Sequence, residues 1–216
     1  FGPWLSKAVA DRRLETFEYS NVVVTYRLQA GAQGLPFIAV RSFGGTDGFL
    51  HSGAKLAKDP FTGKPIVLLP ALNPDVSIVH VHQADIYGNA RVFGTGISHV
   101  DCALASKKVI LSAEEIIETD EFRRDPGRTS IPHFVVDAVV HAPYGAYPGT
   151  VQGKYASDVE HVVECFGGAM RGNLEPYLDK WIYSVGSHEE MLEKRVGFKK
   201  LQDLQRRETI REGYSI

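Results

Sequence analysis

The chain has 216 residues, 44% hydrophobic and 23% charged, with a net charge of −2. This is a soluble globular composition, sized for one ordinary domain plus a helical appendage. It gives no electrostatic reason to bind nucleic acid, and its longest apolar runs fall far short of the ~20 residues that span a membrane.

In chain order, Trp4, Leu5 and Val9 share a helical face, predicting a helix over 4–13. Residues 14–20 read as extended. The stretch NVVVTYRLQAGAQGLPF opens with β-branched residues that favour a strand. However, Ser20 can cap a helix, Val23, Tyr26 or Arg27, Ala30 and Gln33 recur at helical spacing, and Gly34 with Pro36 is a stop, so a helix is preferred. A glycine-rich loop follows over 41–53. PIVLLP and VSIVHVHQ read as short strands, residues 99–108 as a helix, and 108–116 as a strand running into a helix start. Residues 122–133 read as a loop. FVVDAVVHAP (134–143) reads as a strand whose nearly continuous apolar run predicts cover on both faces. From about 158 onward every segment has helical patterning, with Ser187 and Glu189-Glu190 marking one helix start. The resulting expectation is an α/β domain with a mainly parallel sheet over 1–157 and a C-terminal helical segment over 158–216. The chain starts without Met in a helix already under way, so a portion preceding Phe1 is expected.

Few residues have a pattern that compels chemistry. His80 and His82, two apart on a strand, point to one face and with Asp85 nearby could hold a metal. There is no HExxH or Cys/His cluster, and the other histidines are scattered, so they are read as strand residues and no metal is expected. Cys102 and Cys165 lack a CxxC pair or a nucleophile motif, which points to a reducing cytoplasm without a disulfide framework. Gly88-Asn89 suits a left-handed turn at a strand end, where α/β sheets bind ligands. In FGGTDG, Gly44 and Gly45 let backbone N–H groups approach ligand oxygens, while Thr46 and Asp47 add polar groups; the loop is neither a Walker A nor a GxGxxG motif. Glu18, between Phe17 and Tyr19, is either an acid/base with a raised pKa or a surface glutamate. Residues 113–119, AEEIIET, read mostly as a solvated face. Tyr144 lies in a Gly/Pro/Tyr-rich loop suited to enclosing a ligand.

Four stretches carry a resemblance: RLQAGAQGLPFIAVRSFGGTD, HVHQADIYGNARVFG, AEEIIETDEFRRDPGRTSIPHFVVDAVVHAPYGAYP and GKYASDVEHVVEC. In this order they resemble the α subunit of family I coenzyme A transferases, nearest to glutaconate CoA-transferase α subunits. The resemblance implies a doubly wound, mainly parallel α/β fold of the CoA-transferase/NagB type. It implies a β-subunit partner in a heterotetramer or larger assembly, with no nucleic acid or membrane partner. It further implies transfer of CoA from an acyl-CoA to a carboxylic or dicarboxylic acid, with the nucleophilic glutamate on the β subunit. The CoA thioester is a substrate, and no bound cofactor is expected. Gly44, Gly45, Thr46, Asp47, Gln83, Asp85, Gly88, Asn89 and Tyr144 would then border the substrate pocket. Relatives with changed chemistry leave alternatives open: an acyl-CoA hydrolase or ring-cleaving lyase, with Glu18 as the catalytic residue, a glutaconyl-CoA decarboxylase, or a non-catalytic scaffold subunit.

Overall fold

The computed structural model describes residues 3–209. The side chain of Trp4 lies outside the described residues. The chain divides into two compact units, one from Thr16 to Pro143, the other comprising the residues up to Glu15 and those from Tyr144 onward. This division falls at 143/144, whereas the sequence pattern changes character near 158.

The first helix, α1 (Pro3–Ala10), belongs to the second unit and packs on a later helix there. The central unit opens with α2 (Asn21–Ala32), whose start is fixed by Ser20: its hydroxyl accepts the Val23 N–H. Capping and burial of Val23, Leu28 and Ala30 override the strand propensity of NVVVT. Gly34 ends the helix region at φ 69°, as the sequence predicts. At Gly31 a Cβ would lie 2.4 Å from the Leu72 carbonyl oxygen, so only glycine lets the helix lie against that backbone.

Two sheets share this unit. Strands β1 (Phe37–Val40), β2 (Lys55–Lys58) and β3 (Pro65–Pro70) form an antiparallel sheet in the order β1-β3-β2, with the short helix α3 (Asp47–Leu50) between β1 and β2. Val23, Ala54, Val67 and Leu69 form its core. This antiparallel sheet is an addition to the expected parallel one.

The second sheet holds β4 (Val76–Ala84), β5 (Ala90–Arg91), β6 (Lys108–Ile116) and β7 (Ala138–His141) in the order β5-β4-β6-β7. β4, β6 and β7 are parallel, and β5 is antiparallel. Between them run α4 (His99–Ala105) and α5 (Thr119–Arg124). Val79, Val81, Val109, Leu111 and Ala113 meet Ala103 of α4 in a buried core. The residues between them point to the opposite face, where Ile78 is 74% exposed.

Two local expectations are corrected. Residues 122–133 are not one loop, since α5 reaches Arg124 and short 3₁₀ turns follow. The apolar run at 134–143 gives only the four-residue edge strand β7, with Ala138, Val140 and His141 exposed, so it is not covered on both faces. Asp137 ends the apolar face: its carboxylate accepts the Val109 N–H and pairs with Lys108.

The second unit continues with α6 (Val159–Met170), capped by Asp158, which accepts the His161 N–H. Then come α7 (Glu175–Leu178), a π-helical turn over Asp179–Tyr183, α8 (His188–Met191), a second π-turn over Leu192–Val196, and α9 (Phe198–Thr209). Ser187 caps α8 as the sequence predicts, accepting the Glu190 N–H. Val151, Tyr155 and Leu204 form a local core.

Candidate functional site

The expected site residues in the central unit gather into two groups, and Tyr144 stands in the other unit. The first group lies at the carboxyl ends of β4 and β6. After Ala84 the chain reverses through Asp85–Asn89. The Asp85 carboxylate is fully buried. Its Oδ1 accepts the backbone N–H of Tyr87 (3.0 Å) and of Asn89 (2.9 Å), and its Oδ2 accepts Asn89 Nδ2–H (2.8 Å). Burial pushes this carboxyl up, but hydrogen bonds from Asn89, Thr119 and Tyr87 outweigh that and hold it below the ordinary carboxylate range. Asp85 therefore holds the turn together as a fixed anion. Gly88 adopts φ 101°, and a Cβ there would lie 2.7 Å from Val136 Cβ. Asn89 Oδ1 accepts the His133 N–H (3.2 Å), tying the turn to the segment before β7.

Beside this turn is a cleft of about 450 Å³, bordered by Tyr87, Asn89, Thr119, Phe122, Pro126 and His133. Its size suits a small ligand, and its place beyond the carboxyl ends of parallel strands is where α/β sheets bind ligands. Its lining mixes aromatic rings with hydroxyl, amide and imidazole groups and the Arg123 guanidinium.

Below the turn, the parallel register sets His80 opposite Ser112. His80 Nδ1 is 2.9 Å from Ser112 Oγ, and Nε2 is 2.6 Å from Glu114 Oε1. Glu114 is buried, which corrects the reading of AEEIIET as a solvated face at that residue. Gln83 Nε2 donates to Glu115 Oε2 (2.9 Å). His82 Nδ1 accepts the Phe93 N–H (3.2 Å), so the ring's proton sits on Nε2 in its neutral form. Among the described residues no group of three or more His, Cys, Asp or Glu is placed to hold a metal ion. The Ser112–His80–Glu114 chain escaped the sequence reading. Its only signal there is the offset between two parallel strands, which the tertiary fold decides.

The second group is the glycine-rich loop. Phe43 and Gly45 both have positive φ, 78° and 81°. Thr46 Oγ1 donates to the Phe43 carbonyl (2.8 Å) and accepts the Phe49 N–H (3.3 Å), capping α3, whose first residue is Asp47. Gly44 lies close to β3: a Cβ there would be 3.1 Å from Val67. Phe43 packs on Tyr19, whose hydroxyl accepts the Gly53 N–H (2.8 Å). Glu18 belongs to this group. Its N–H donates to the His51 carbonyl (3.0 Å), and a Cβ on Gly48 would be 4.0 Å from Glu18 Cβ. The Glu18 side chain is exposed and Phe17 is 62% exposed, so the flanking aromatics do not enclose the carboxylate.

Tyr144, at φ 57°, packs its ring 4.9 Å from Tyr155, whose hydroxyl accepts the Ala146 N–H (3.1 Å). These contacts order the 144–155 loop.

A parallel strand trio with a turn-bordered cleft at its carboxyl ends is the α/β arrangement in which ligands generally bind. The profile of the Coenzyme A transferase family matches residues 2–142, and the chain belongs to that family. It is 43% identical over 196 residues to an uncharacterised protein of Archaeoglobus fulgidus, covering 90% of this chain and 44% of that one. It is 32% identical to a glutaconate CoA-transferase subunit of Acidaminococcus fermentans, covering 84% and 62%. A crystal structure of glutaconate coenzyme A-transferase from the same organism superimposes with a TM-score of 0.85 at 31% identity, covering 93% of this chain and 69% of that chain. A cholesterol ring-cleaving hydrolase IpdA subunit of Rhodococcus jostii is 30% identical over 73% of this chain and 57% of its own length. The chain thus spans less than two thirds of the length of these curated relatives.

Proposed function

We propose that the chain is part of the α subunit of a heteromeric CoA-transferase that moves CoA from an acyl-CoA to a carboxylic or dicarboxylic acid. The observation carrying this reading is the likeness over 93% of the chain to glutaconate coenzyme A-transferase. In this reading the nucleophile is a glutamate of a β-subunit partner, forming a glutamyl-CoA thioester by covalent catalysis. The commitments of the buried carboxylates here support that division of labour, with Asp85 held in its turn and Glu114 on His80. The α chain contributes walls and binding groups. Asn89 borders the cleft, Asp85 and Gly88 shape it, Gln83 braces the strand ends, and the Gly44–Asp47 loop borders the substrate. CoA thioester is substrate, and the chain carries no resident cofactor. Two free cysteines fit a reducing cytoplasm. No helix among the described residues is long and apolar enough to cross a membrane.

The test is the full-length protein co-purified with its β partner and assayed for exchange between acyl-CoA donors and a panel of mono- and dicarboxylates. Transfer with a trapped CoA thioester on a partner glutamate is the expected result. A complex that exchanges CoA with no member of the panel, or a thioester trapped on this chain, overturns it.

One observation favours a second reading. Glu18 is solvent-accessible beside the glycine-rich loop, and in this reading it would be the base of a CoA-thioester hydrolase or ring-cleaving lyase. Glu18→Gln should then lower turnover by roughly 10²-fold or more while the complex still assembles. Unchanged turnover removes that role.

A further inference from the structure

The second unit contains a directed chain of hydrogen bonds that the transferase reading leaves without a task. Tyr147 Oη is 2.8 Å from Asp158 Oδ2, and an ionised carboxylate only accepts, so Tyr147 donates. His161 Nδ1, 2.9 Å from the same Tyr147 oxygen, must then carry its proton and donate. In the neutral ring this leaves Nε2 bare, and it accepts the Tyr177 O–H at 2.8 Å. Lys200, 3.1 Å from Asp158 Oδ1, anchors the far end, and Trp181 stacks on His161 with ring centroids 3.8 Å apart. Tyr177 is thereby fixed in place, its proton turned inward to His161 and its oxygen in hydrogen-bond contact with Cys165.

Tyr177 lines a cleft of about 510 Å³ together with Glu164, Gly168, Arg171, Asn173, Pro176 and Lys180, so one carboxylate and two cations share its wall. Lys180, in the first π-turn, is engaged by Glu164 at 2.8 and 3.0 Å. The Arg171 guanidinium has no ion pair or side-chain hydrogen bond among the described residues. Two adjacent glycines inside α6 weaken the helix and call for a reason. Gly168 has one in packing: a Cβ there would meet the Asn173 carbonyl at 3.2 Å. At Gly167 the atoms nearest to such a Cβ are those of the Arg171 guanidinium, with Nη1 at 3.3 Å, so this side chain lies back along the last turn of α6. Arg171 stands at the C-terminal end of α6, where the helix dipole favours a cation. That accounts for the charge but not for the concave wall beside it. π-turns, rare in general, recur at functional sites.

We propose that this cleft binds a small molecule bearing a carboxylate or phosphate, held by the Arg171 guanidinium, with the Tyr177 ring as part of its wall. The inference stands apart from the transferase reading and uses none of its residues. The test is calorimetric titration of the full-length protein, in its complex, with inorganic phosphate and with succinate at constant ionic strength. Wild type, Arg171→Ala and Arg171→Lys are compared, each with its melting temperature. Saturable binding of either anion is expected, weakened by about tenfold or more in Arg171→Ala and partly retained in Arg171→Lys, which keeps the charge and loses the planar fork. Binding of phosphate alone assigns the site to a phosphorylated ligand, and of succinate alone to an organic acid. The proposal is overturned by wild type that saturates with neither anion. It is equally overturned if Arg171→Ala binds as wild type does while only its melting temperature falls, which leaves Arg171 as a helix cap.

Discussion

At Asp85 a single carboxylate accepts two backbone N–H groups and one side-chain amide of its own turn. Asp85→Ala leaves those donors without their acceptor in a buried place, and a loss of about 2–4 kcal/mol is expected from urea denaturation. Because the native carboxyl is held below its ordinary value, its contribution is present above the unfolded value near 3.9 and is lost as pH falls through the folded value. The stability gap between wild type and Asp85→Asn should therefore narrow below about pH 4. Gly88 combines two demands, a φ of 101° and a Cβ position 2.7 Å from Val136. Gly88→Ala should cost about 2–4 kcal/mol, and Val136→Ala in the same chain should restore only the steric part. A double-mutant cycle with no coupling between the two positions would show that the backbone angle alone sets the cost. The turn itself was legible from the Gly-Asn pair. That the aspartate rather than the pair holds it was not, because the acceptor geometry depends on where the chain returns.

At the level of elements, β4 shows how much patterning reveals. The sequence marks VSIVHVHQ as a strand, and β4 runs from Val76 to Ala84. Only Gln83 and Ala84 pair with β5, so from Val76 to His82 the edge away from β6 has no strand beside it among the described residues. Along the sheet face that carries Ile78, Val76 and Val140 are also exposed. An open edge beside an open apolar face is a template for association. The 216-residue chain expressed alone should self-associate in sedimentation velocity, and Ile78→Lys should shift it toward monomer. A wild-type chain that stays monomeric at every concentration contradicts this. β7 shows the limit of patterning: its apolar run predicts a covered strand, yet an apolar sequence does not reveal whether a strand ends up central or at an edge.

For the molecule as a whole, the pH response belongs to the buried network around His161. Burial, opposed by Asp158 and Glu164 and aided by Lys180, pushes the His161 pKa below its ordinary value. The unfolded chain takes up a proton near pH 6.5 that the fold resists, so stability should fall as pH drops below about 6.5 and level off below the folded value. Tyr177 works in the opposite sense. Burial first, then Cys165 and Glu164, push its hydroxyl up to about 12. Its contribution is complete below the unfolded value near 10 and is lost as pH rises through the folded one. Thermal melts by circular dichroism from acid to alkaline pH should show both losses. His161→Gln should flatten the acid limb and spare the alkaline one, and an unchanged acid limb would place that proton elsewhere. The sequence by itself determined the α/β class, the capped helix after Ser20, the strand and turn at 76–89 and the helical C-terminal region. Each depends on propensity, spacing or a cap within a few residues. Only the tertiary structure decided that His80 meets Ser112 and Glu114, that β7 is an edge, that a second, antiparallel sheet precedes the parallel one, and that Tyr147, Asp158, His161 and Tyr177 form one chain. Those depend on strand register and helix packing between residues distant in sequence, where local pattern carries no information about the partner.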